Sequence, residues 1–338
     1  MNVRVVAVTG IICASTVLTV WNFHSHIAYV FSQSHIITSP SPVTVPVSTD
    51  ITVGWVGDMV PSDISTYNAH AFTAVAPTLA LPTLLIGNLE GTFAQSDRIS
   101  KCVYIATQCH AFRGDAGFAD ELKKAGFDVV SLVNNHSYDF GSDGLADTTA
   151  ELDRAGIAYI SPTKPTLSIT IQEKKIGILG LSSTPPAQTI TDYDFIVKNV
   201  TELKASHDYV IVIFHGGSEG SDKTALPYTE EYFGTENRGD VVRVAHTAID
   251  AGADMVLGSG PHVLRTIENY RGKTIAYSLG NFIGGGRLVT RGTLGLSGVF
   301  IGNLSTATHQ FISILLSPDG IPSLDPTEQS RQLLETLK

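Results

Sequence analysis

The composition of the 338-residue chain is that of a globular protein. It is 43% hydrophobic and only 16% charged, so it can bury a large core in one big domain or two smaller ones, and disorder of the whole chain is excluded. Lys and Arg number 22 against 32 Asp and Glu, a formal net charge of −10 with His neutral. Because this charge repels phosphates and no local basic patch offsets it, we predict no nucleic-acid partner.

The first 22 residues predict an N-terminal membrane anchor or signal segment. Arg4 precedes an apolar or small-residue run from about Val5 to Trp21, which is long enough for a signal-peptide core and marginal for a membrane span of roughly 17–25 residues. No good small-x-small cleavage site follows, which favours an uncleaved anchor over secretion after cleavage. We expect a single-pass protein of the cell membrane with its domain outside the cytoplasm.

Residues 23–50 are rich in Ser, Thr and Pro and predict a linker. The histidines in it, His24, His26 and His35, are better explained as scattered linker residues than as a metal site.

Two of the three cysteines lie in the part of the chain that is predicted to fold. Outside the cytoplasm, Cys102 and Cys109 could close a small disulfide loop. A zinc site of these two residues with His110 is less favoured, because the spacing is no recognised finger or ribbon. The disulfide would hold "HAFRGD" near the strand-end residues described below, where Arg113 could meet an anionic group of a substrate.

From Ile51 onward, short apolar runs alternate with helical patterns, which predicts an α/β fold. Two hairpins are also predicted, one turning at Glu173 to Lys175 and one at Arg271-Gly272, and a β-rich end favours a mixed sheet or two packed sheets. We place one domain at 51–317 and a C-terminal tail at 318–338. The predicted strands are "ITVGWVG", "TLLIGNL", "FDVVSLV", "YVIVIF" and "DMVLGSG", and the predicted helices lie near "FADELKKAG", "GLADTTAELDRAG", "DFIVKNVTELKAS" and "DVVRVAHTAIDAG".

Polar side chains follow five of the predicted strands at the point where each strand ends. Ligands and chemistry in α/β sheets lie at these carboxyl ends, so we expect the side chains to form a shared site. Oxygen and nitrogen ligands without a thiolate suit Mn, Fe, Zn or Mg. The residues are Asp58, Asn88, Glu90, Asn135, His136, Asp139, His215, Glu219 and His262.

The same segments resemble the CapA-type poly-gamma-glutamate capsule synthesis family, whose fold is similar to that of calcineurin-like metallophosphoesterases. The resemblance covers about residues 51–300, and it implies a four-layer α/β/β/α sandwich with a metal site at the strand ends. The blocks that carry it are "VGDMV", "IGNLEGTF", "SLVNNHSYDFGSDGLADT", "FHGGSEG" and "GPHVLRTIENYRGKTIAYSLGNF".

The resemblance implies ligands for one or two divalent metal ions. Asp58 resembles the metal ligand of the first strand, and Glu90 stands where related phosphoesterases keep a carboxylate that bridges two metals. Asn135 resembles the amide ligand, and His215 and His262 resemble the imidazole ligands that close the site.

The resemblance also implies catalytic and substrate-binding residues. His136 resembles the proton donor beside the metal, and Asp139, one turn further on, could fix the tautomer of its ring. Asn88, Arg113 and Glu219 are predicted to contact the substrate.

One position departs from the family pattern. Where the family often has His-Pro-His, this chain has Gly260-Pro261-His262, so one imidazole is missing. We expect one ion to bind firmly and a second weakly or not at all, and we expect Gly260→His to raise the second occupancy if Gly260 does not need a positive φ.

The resulting function hypothesis is a membrane-anchored CapA-like protein of capsule or poly-gamma-glutamate synthesis, export or release. It would hydrolyse an anionic polymer, a small phosphoester or an amide through a metal-bound hydroxide. The alternative is a non-catalytic accessory protein that binds an anionic polymer or its synthase subunits. A less favoured alternative is a serine hydrolase using Ser218, since "GGSEG" matches the G-x-S-x-G elbow.

Overall fold

The computed structural model describes residues 50–61, 70–104, 109–185, 189–284 and 287–337. The predicted N-terminal anchor and almost all of the predicted linker lie outside these residues. Within these ranges, no helix is both long and apolar enough to cross a membrane.

The order of strands and helices follows the predicted alternation from β1 to the β11–β12 hairpin. The strands are β1 (Thr52–Met59), β2 (Leu84–Leu89), β3 (Val129–Ser131), β4 (Ala158–Ile160), β5 (Thr166–Ile171), β6 (Lys174–Ser182), β7 (Tyr209–His215), β8 (Glu231–Phe233), β9 (Glu236–Gly239), β10 (Met255–Ser259), β11 (Leu264–Tyr270), β12 (Lys273–Leu279), β13 (Asn281–Ile283), β14 (Leu296–Asn303), β15 (His309–Leu316) and β16 (Pro322–Leu324). The helices are α1 (Ala76–Leu79), α2 (Gly117–Ala125), α3 (Gly141–Ala155), α4 (Tyr193–Lys204), α5 (Val241–Asp250) and α6 (Gln329–Thr336), with short 3-10 helices at Lys101–Tyr104 and Gly292–Gly295.

Two mixed sheets pack face to face between layers of helices. The first has the order β16-β15-β14-β1-β2-β3-β4, with β13 parallel to β1, and the second has the order β11-β12-β10-β7-β6-β5. One apolar cluster lies between the first sheet and helices α2 and α3, a second lies between the sheets, and a third joins the second sheet to α4 and α5. The predicted four-layer α/β/β/α sandwich is therefore confirmed.

The central strands bring the carboxyl ends of both sheets to one edge of the molecule. In the first sheet Asp58 of β1 pairs in register with Asn88 of β2, and in the second Ser259 of β10 pairs with His215 of β7. The fully buried Trp55 of β1 donates its indole N–H to the carbonyl of Gly258 in β10 at 3.1 Å. Because this bond ties β1 to β10, the polar ends of the two sheets face each other.

Both predicted hairpins are present. The turn between β11 and β12 is at Arg271 (φ 51°) and Gly272 (φ 75°), and the turn between β5 and β6 is at Gln172 (φ 49°) and Glu173 (φ 66°). Two consecutive residues with positive φ are typical of the type I′ turn that fits the twist of paired strands. The second turn therefore begins one residue earlier than the sequence predicted.

The segment that we predicted as a C-terminal tail belongs to the sandwich instead. Strand β16 pairs antiparallel with β15, and Leu333 and Leu334 of α6 pack against the cluster between the sheets. The burial of these side chains explains why the segment is ordered as strand and helix.

Candidate metal centre

Three side chains at the strand ends form a group that could hold a metal ion. Asp58 lies in β1, Glu90 follows β2 and His262 follows β10, and in the described part of the chain one ligand atom from each lies within 4.8 Å of the others. His262 Nδ1 is 3.2 Å from Asp58 Oδ2, and His262 Nε2 is 3.7 Å from Glu90 Oε1. Three strands from two sheets thus supply one carboxylate-imidazole cluster.

His215, at the end of β7, stands beside this cluster. Its Nδ1 is 3.9 Å from Asp58 Oδ1 and its Nε2 is 3.7 Å from Glu90 Oε1. Ser259 Oγ lies 3.0 Å from Nδ1 and holds the ring. Four of the five predicted metal ligands therefore lie together.

Both carboxylate oxygens of Glu90 are buried and have no hydrogen-bond partner among the described residues. Leaving such oxygens unpaired away from water is costly unless a ligand satisfies them. The donors are hard oxygens and imidazole nitrogens, the set that suits Mn, Fe, Zn or Mg. The residues present therefore fit a divalent cation. The Oδ1 atom of Asn135, the fifth predicted ligand, is buried without a hydrogen-bond partner among the described residues, and the backbone carbonyl of Asn135 accepts from Lys101 Nζ at 3.2 Å.

The electrostatics of the cluster are dominated by burial and by neighbouring charge. Burial, reinforced by the charge of Asp58, raises the pKa of Glu90 well above its usual value. Burial also opposes ionisation of Asp58, but the hydrogen bond and the charge of His262 outweigh it and lower the pKa of Asp58. The pKa of His262 rises to about 10 because Glu90 and Asp58 outweigh its burial. Burial and the charge of Arg238 lower the pKa of His215 well below its usual value.

The predicted catalytic pair is in hydrogen-bond contact. His136 Nδ1 lies 2.8 Å from Asp139 Oδ2, and His136 Nε2 lies 3.9 Å from Glu90 Oε1. Asp139 is held in turn by the backbone N–H of Phe112 at 2.6 Å and by the Lys101 ammonium at 2.6 Å. Because the Asp139 carboxylate accepts the hydrogen bond from Nδ1 of His136, the Nε2 atom of the His136 ring faces Glu90.

The three predicted substrate contacts have different positions. Glu219 lines the cavity at the cluster, with Oε2 3.8 Å from His262 Nε2. Asn88 is fully buried and donates to Asp58 Oδ1 at 2.8 Å, so it orients a ligand carboxylate instead of facing the cavity. Arg113 is not brought to the cluster, because its guanidinium donates to the carbonyls of Ser96 and Arg98 and lies 4.1 Å from the centre of the Phe140 ring.

Arg238 and Asn281 are among the residues of the site that the sequence reasoning missed. Arg238 of β9 is fully buried, donates to Gly217 O at 3.1 Å and lies 3.2 Å from Glu219 Oε1. No sequence signal distinguishes it from a loop arginine. Asn281 has its Oδ1 2.8 Å from His262 Nδ1, and its place in the "YSLGNF" block could have pointed to it.

The structure also decides between the alternatives at the cysteines and at Ser218. Cys102 and Cys109 form a disulfide with Cα atoms 5.5 Å apart, so that prediction is confirmed and the zinc alternative is wrong. Ser218 Oγ donates to Tyr232 O at 3.1 Å, and β7 is followed by turns and the β8–β9 hairpin before any helix. A nucleophile elbow requires a strand, a sharp turn and a helix, so the serine hydrolase alternative has no structural support.

Gly260 has a positive φ, so the condition for the predicted effect of Gly260→His is not met. Its φ is 118°, and a Cβ built there would lie 2.7 Å from the carbonyl oxygen of Gly216. A histidine at this position would therefore displace the backbone, and Gly260→His is not expected to add a metal ligand.

A cavity of about 320 Å³ opens over the metal cluster. Its walls combine imidazole and carboxylate groups with an apolar side. The lining residues are His110, Phe112, His136, Glu219, Gly220, Phe233, His262, Asn281, Arg287, Leu288, Val289 and Leu294.

Three curated proteins that are similar to this chain have names that refer to a capsule or to a polymer. The capsule biosynthesis protein CapA of Bacillus anthracis is 25% identical over 274 residues, which are 72% of this chain and 62% of the relative. The PGA biosynthesis protein CapA of Bacillus subtilis (strain 168) is 31% identical over 179 residues, 48% of this chain and 44% of the relative. A "probable polyglutamine synthesis accessory protein" of Mycobacterium tuberculosis is 33% identical over 183 residues, 46% of this chain and 44% of the relative.

The chain spans less than two thirds of the length of each of these relatives. The family of the bacterial capsule synthesis protein PGA_cap matches residues 50–285, the part of the chain that contains Asp58, Glu90, His215 and His262. The chain therefore belongs to the CapA-type bacterial capsule synthesis family.

Proposed function

We propose that this chain is a metal-dependent hydrolase that acts in the synthesis, export or release of a poly-gamma-glutamate-type capsule polymer. The observation that carries the proposal is the fully buried Glu90, neither of whose oxygens has a hydrogen-bond partner among the described residues. It stands beside Asp58 and His262 in a group that suits a divalent cation. The names of two relatives, a capsule biosynthesis protein and a PGA biosynthesis protein, support a capsule polymer as the substrate.

In this proposal Asp58, Glu90 and His262 hold the cation, with His215 and Asn135 as further ligands. A divalent cation supplies Lewis acidity and lowers the pKa of water at the site. The surrounding side chains orient these ligands: Asn88 donates to Asp58, and Asn281 contacts His262. Such outer contacts fix the geometry of a metal site.

His136 handles the proton in the proposed reaction. Burial lowers the pKa of His136, although the hydrogen bond with Asp139 opposes this shift, so the ring is neutral near pH 7. Asp139 keeps the ring proton on Nδ1, which leaves the Nε2 lone pair facing the cavity. In the cavity, Nε2 can accept a proton and then deliver it to the leaving group of a phosphate ester or an amide.

Metal content and substrate range test the proposal together. Elemental analysis of the purified protein is expected to give one or two divalent ions per chain, and a screen of phosphoesters and gamma-glutamyl polymers is expected to give metal-dependent hydrolysis. The proposed hydrolase activity would be contradicted if the protein held no ion, or if it held one but cleaved none of these substrates.

A second candidate is an accessory protein that binds an anionic polymer or its synthase without turnover. Gly260 stands where the family often has an imidazole, and one relative is named an accessory protein. Absence of metal with retained polymer binding would favour this candidate over the hydrolase.

A further inference from the structure

A second cavity lies beside the one at the metal cluster, and it is rich in arginine. It is open, has a volume of about 530 Å³, and shares Arg287 with the metal-site cavity. Its lining consists of Ser96, Arg98, Ser100, Ala111, Arg113, Phe140 and Arg287. Three guanidinium groups around one cavity are unusual in a chain with a formal net charge of −10.

One of these arginines is already neutralised within the protein. Arg98 donates to both oxygens of Asp147, at 2.9 and 3.1 Å, and lies 3.5 Å from Asp143. A bidentate pair of this kind leaves little charge for a ligand.

The charge of Arg113 is not compensated in this way. Its two terminal nitrogens donate to the backbone carbonyls of Ser96 and Arg98, and its planar guanidinium lies over the Phe140 ring. Its Nε is buried without a hydrogen-bond partner, and the side chain makes no salt bridge with a described carboxylate. The backbone therefore fixes a full positive charge at the wall of the cavity.

Arg287 provides a second uncompensated charge at the boundary of the two cavities. The side chain is exposed, and its backbone N–H donates to Gly284 O at 2.8 Å. Across the described residues no carboxylate forms a salt bridge with it. A guanidinium in this state is suited to bidentate recognition of a carboxylate or a phosphate.

Part of the wall of the metal-site cavity is apolar. Phe112, Phe233, Leu288, Val289 and Leu294 supply it. Methylene groups of a ligand fit such a wall. Arg287 belongs to the lining of both cavities, so a ligand that occupies the metal-site cavity can reach the arginine-rich one.

We propose that Arg287 and Arg113 form an oxyanion subsite that binds a carboxylate or phosphate group distal to the bond held at the metal cluster. The ligand is an extended anionic molecule that carries this oxyanion at a distance from its reacting group. The inference rests on the proposed function only in placing that reacting group beside Glu90 and His262.

Binding of short anionic probes to the metal-free full chain tests the subsite. The metal is removed with EDTA, and the EDTA is then removed by dialysis because it is itself a polycarboxylate, so the result does not depend on whether the protein is a hydrolase. Fluorescently labelled hexaglutamate is expected to bind at least about 10-fold more tightly than labelled hexaglutamine, and Arg287→Gln is expected to weaken hexaglutamate binding about 10-fold or more. Tripolyphosphate, tested as a competitor, shows whether phosphate is accepted at the same residue.

Arg271→Gln is the matched control, because Arg271 is exposed at the β11–β12 turn, where it pairs with Asp250 at 3.0 Å. This turn is at the opposite end of β12 from Asn281. The control is expected to stay within about twofold of wild type, and Arg287→Lys is expected to retain part of the affinity. Equal binding of the two peptides, or equal losses in Arg287→Gln and Arg271→Gln, would overturn the subsite.

Discussion

Glu90 shows how a single side chain can indicate a ligand. Both of its oxygens are buried and unpartnered among the described residues, which costs free energy in a folded protein that binds nothing there. Without an ion the cost is reduced by protonation, because the pKa of Glu90 is raised well above its usual value. The proton is therefore in competition with the metal.

This competition predicts that metal binding releases protons. Without metal, Glu90 has a raised pKa and His262 has a pKa of about 10, so His262 carries a proton at neutral pH that a metal must displace. The apparent affinity should rise with pH up to about pH 10, by roughly tenfold per unit for each proton released. Calorimetric titration with Mn²⁺ or Zn²⁺ in buffers of different ionisation enthalpy counts the protons. An affinity that does not change with pH would contradict the assignment of His262 as a ligand.

A second residue-scale prediction separates the proton carrier from the ligands. His136→Ala should keep its metal but lose turnover by roughly 100- to 10,000-fold, the usual contribution of a positioned acid or base. Asp58→Ala and Glu90→Ala should lose the metal, because each removes a carboxylate from the cluster. Metal counting and kinetics on the same preparations give both readouts.

His207→Ala is the control for these variants, since His207 contacts Ser168 on a different surface and should behave as wild type. If His136→Ala emptied the site while Asp58→Ala stayed loaded, the two roles would have to be exchanged.

At the scale of strands and helices, the local pattern of the sequence predicted most of the fold. The run "YVIVIF" became β7 and "DVVRVAHTAIDAG" became α5, because apolar periodicity is a local property. The α5 N-cap is also local: the Asp240 side chain accepts from Arg243 N. What the pattern did not predict was α6, a helix that packs against β15 and against the more distant strand β11.

The disulfide loop connects the chain near the cysteines to the proposed proton carrier. Lys101 directly precedes Cys102, Phe112 follows Cys109 by three residues, and both contact Asp139, the partner of His136. Phe112 also packs on the His136 ring, with ring centres 4.3 Å apart. The cross-link thus lies between two residues that contact the proposed catalytic pair, His136 and Asp139.

We therefore expect the double variant Cys102→Ser/Cys109→Ser to lose both stability and turnover. Closing a loop of this size stabilises by roughly 2–3 kcal/mol in the chain-entropy model. Urea unfolding measures that loss, and kinetics should show a reduced kcat with unchanged metal content, since Asp58, Glu90 and His262 lie outside the loop. Wild-type protein treated with reductant should resemble the double variant, and full activity in both would show that the loop does not position His136.

At the scale of the whole molecule, the site exists because two sheets meet. Arg238 lies 23 residues from His215, and Asp58 accepts from the backbone of Gly260 across 202 residues of sequence. The ends of individual strands could be predicted from apolar runs, so most of the ligands could be named. The partners that orient them depend on how the sheets pack, and no local pattern encodes that.

The disulfide also bears on where the whole molecule works. Bonds of this kind form and persist in oxidising surroundings and are rare in the cytosol. The described domain contains one between Cys102 and Cys109, and the prediction that residues 1–22 place the domain outside the cytoplasm can be tested in cells. Protease added to intact cells is then expected to remove the domain, and both cysteines are expected to resist maleimide until a reductant is added. A cytoplasmic marker protein controls for lysis. Full protection from protease, with both thiols labelled only after the cells are broken, would locate the domain in the cytoplasm. That result would contradict the predicted extracytoplasmic location.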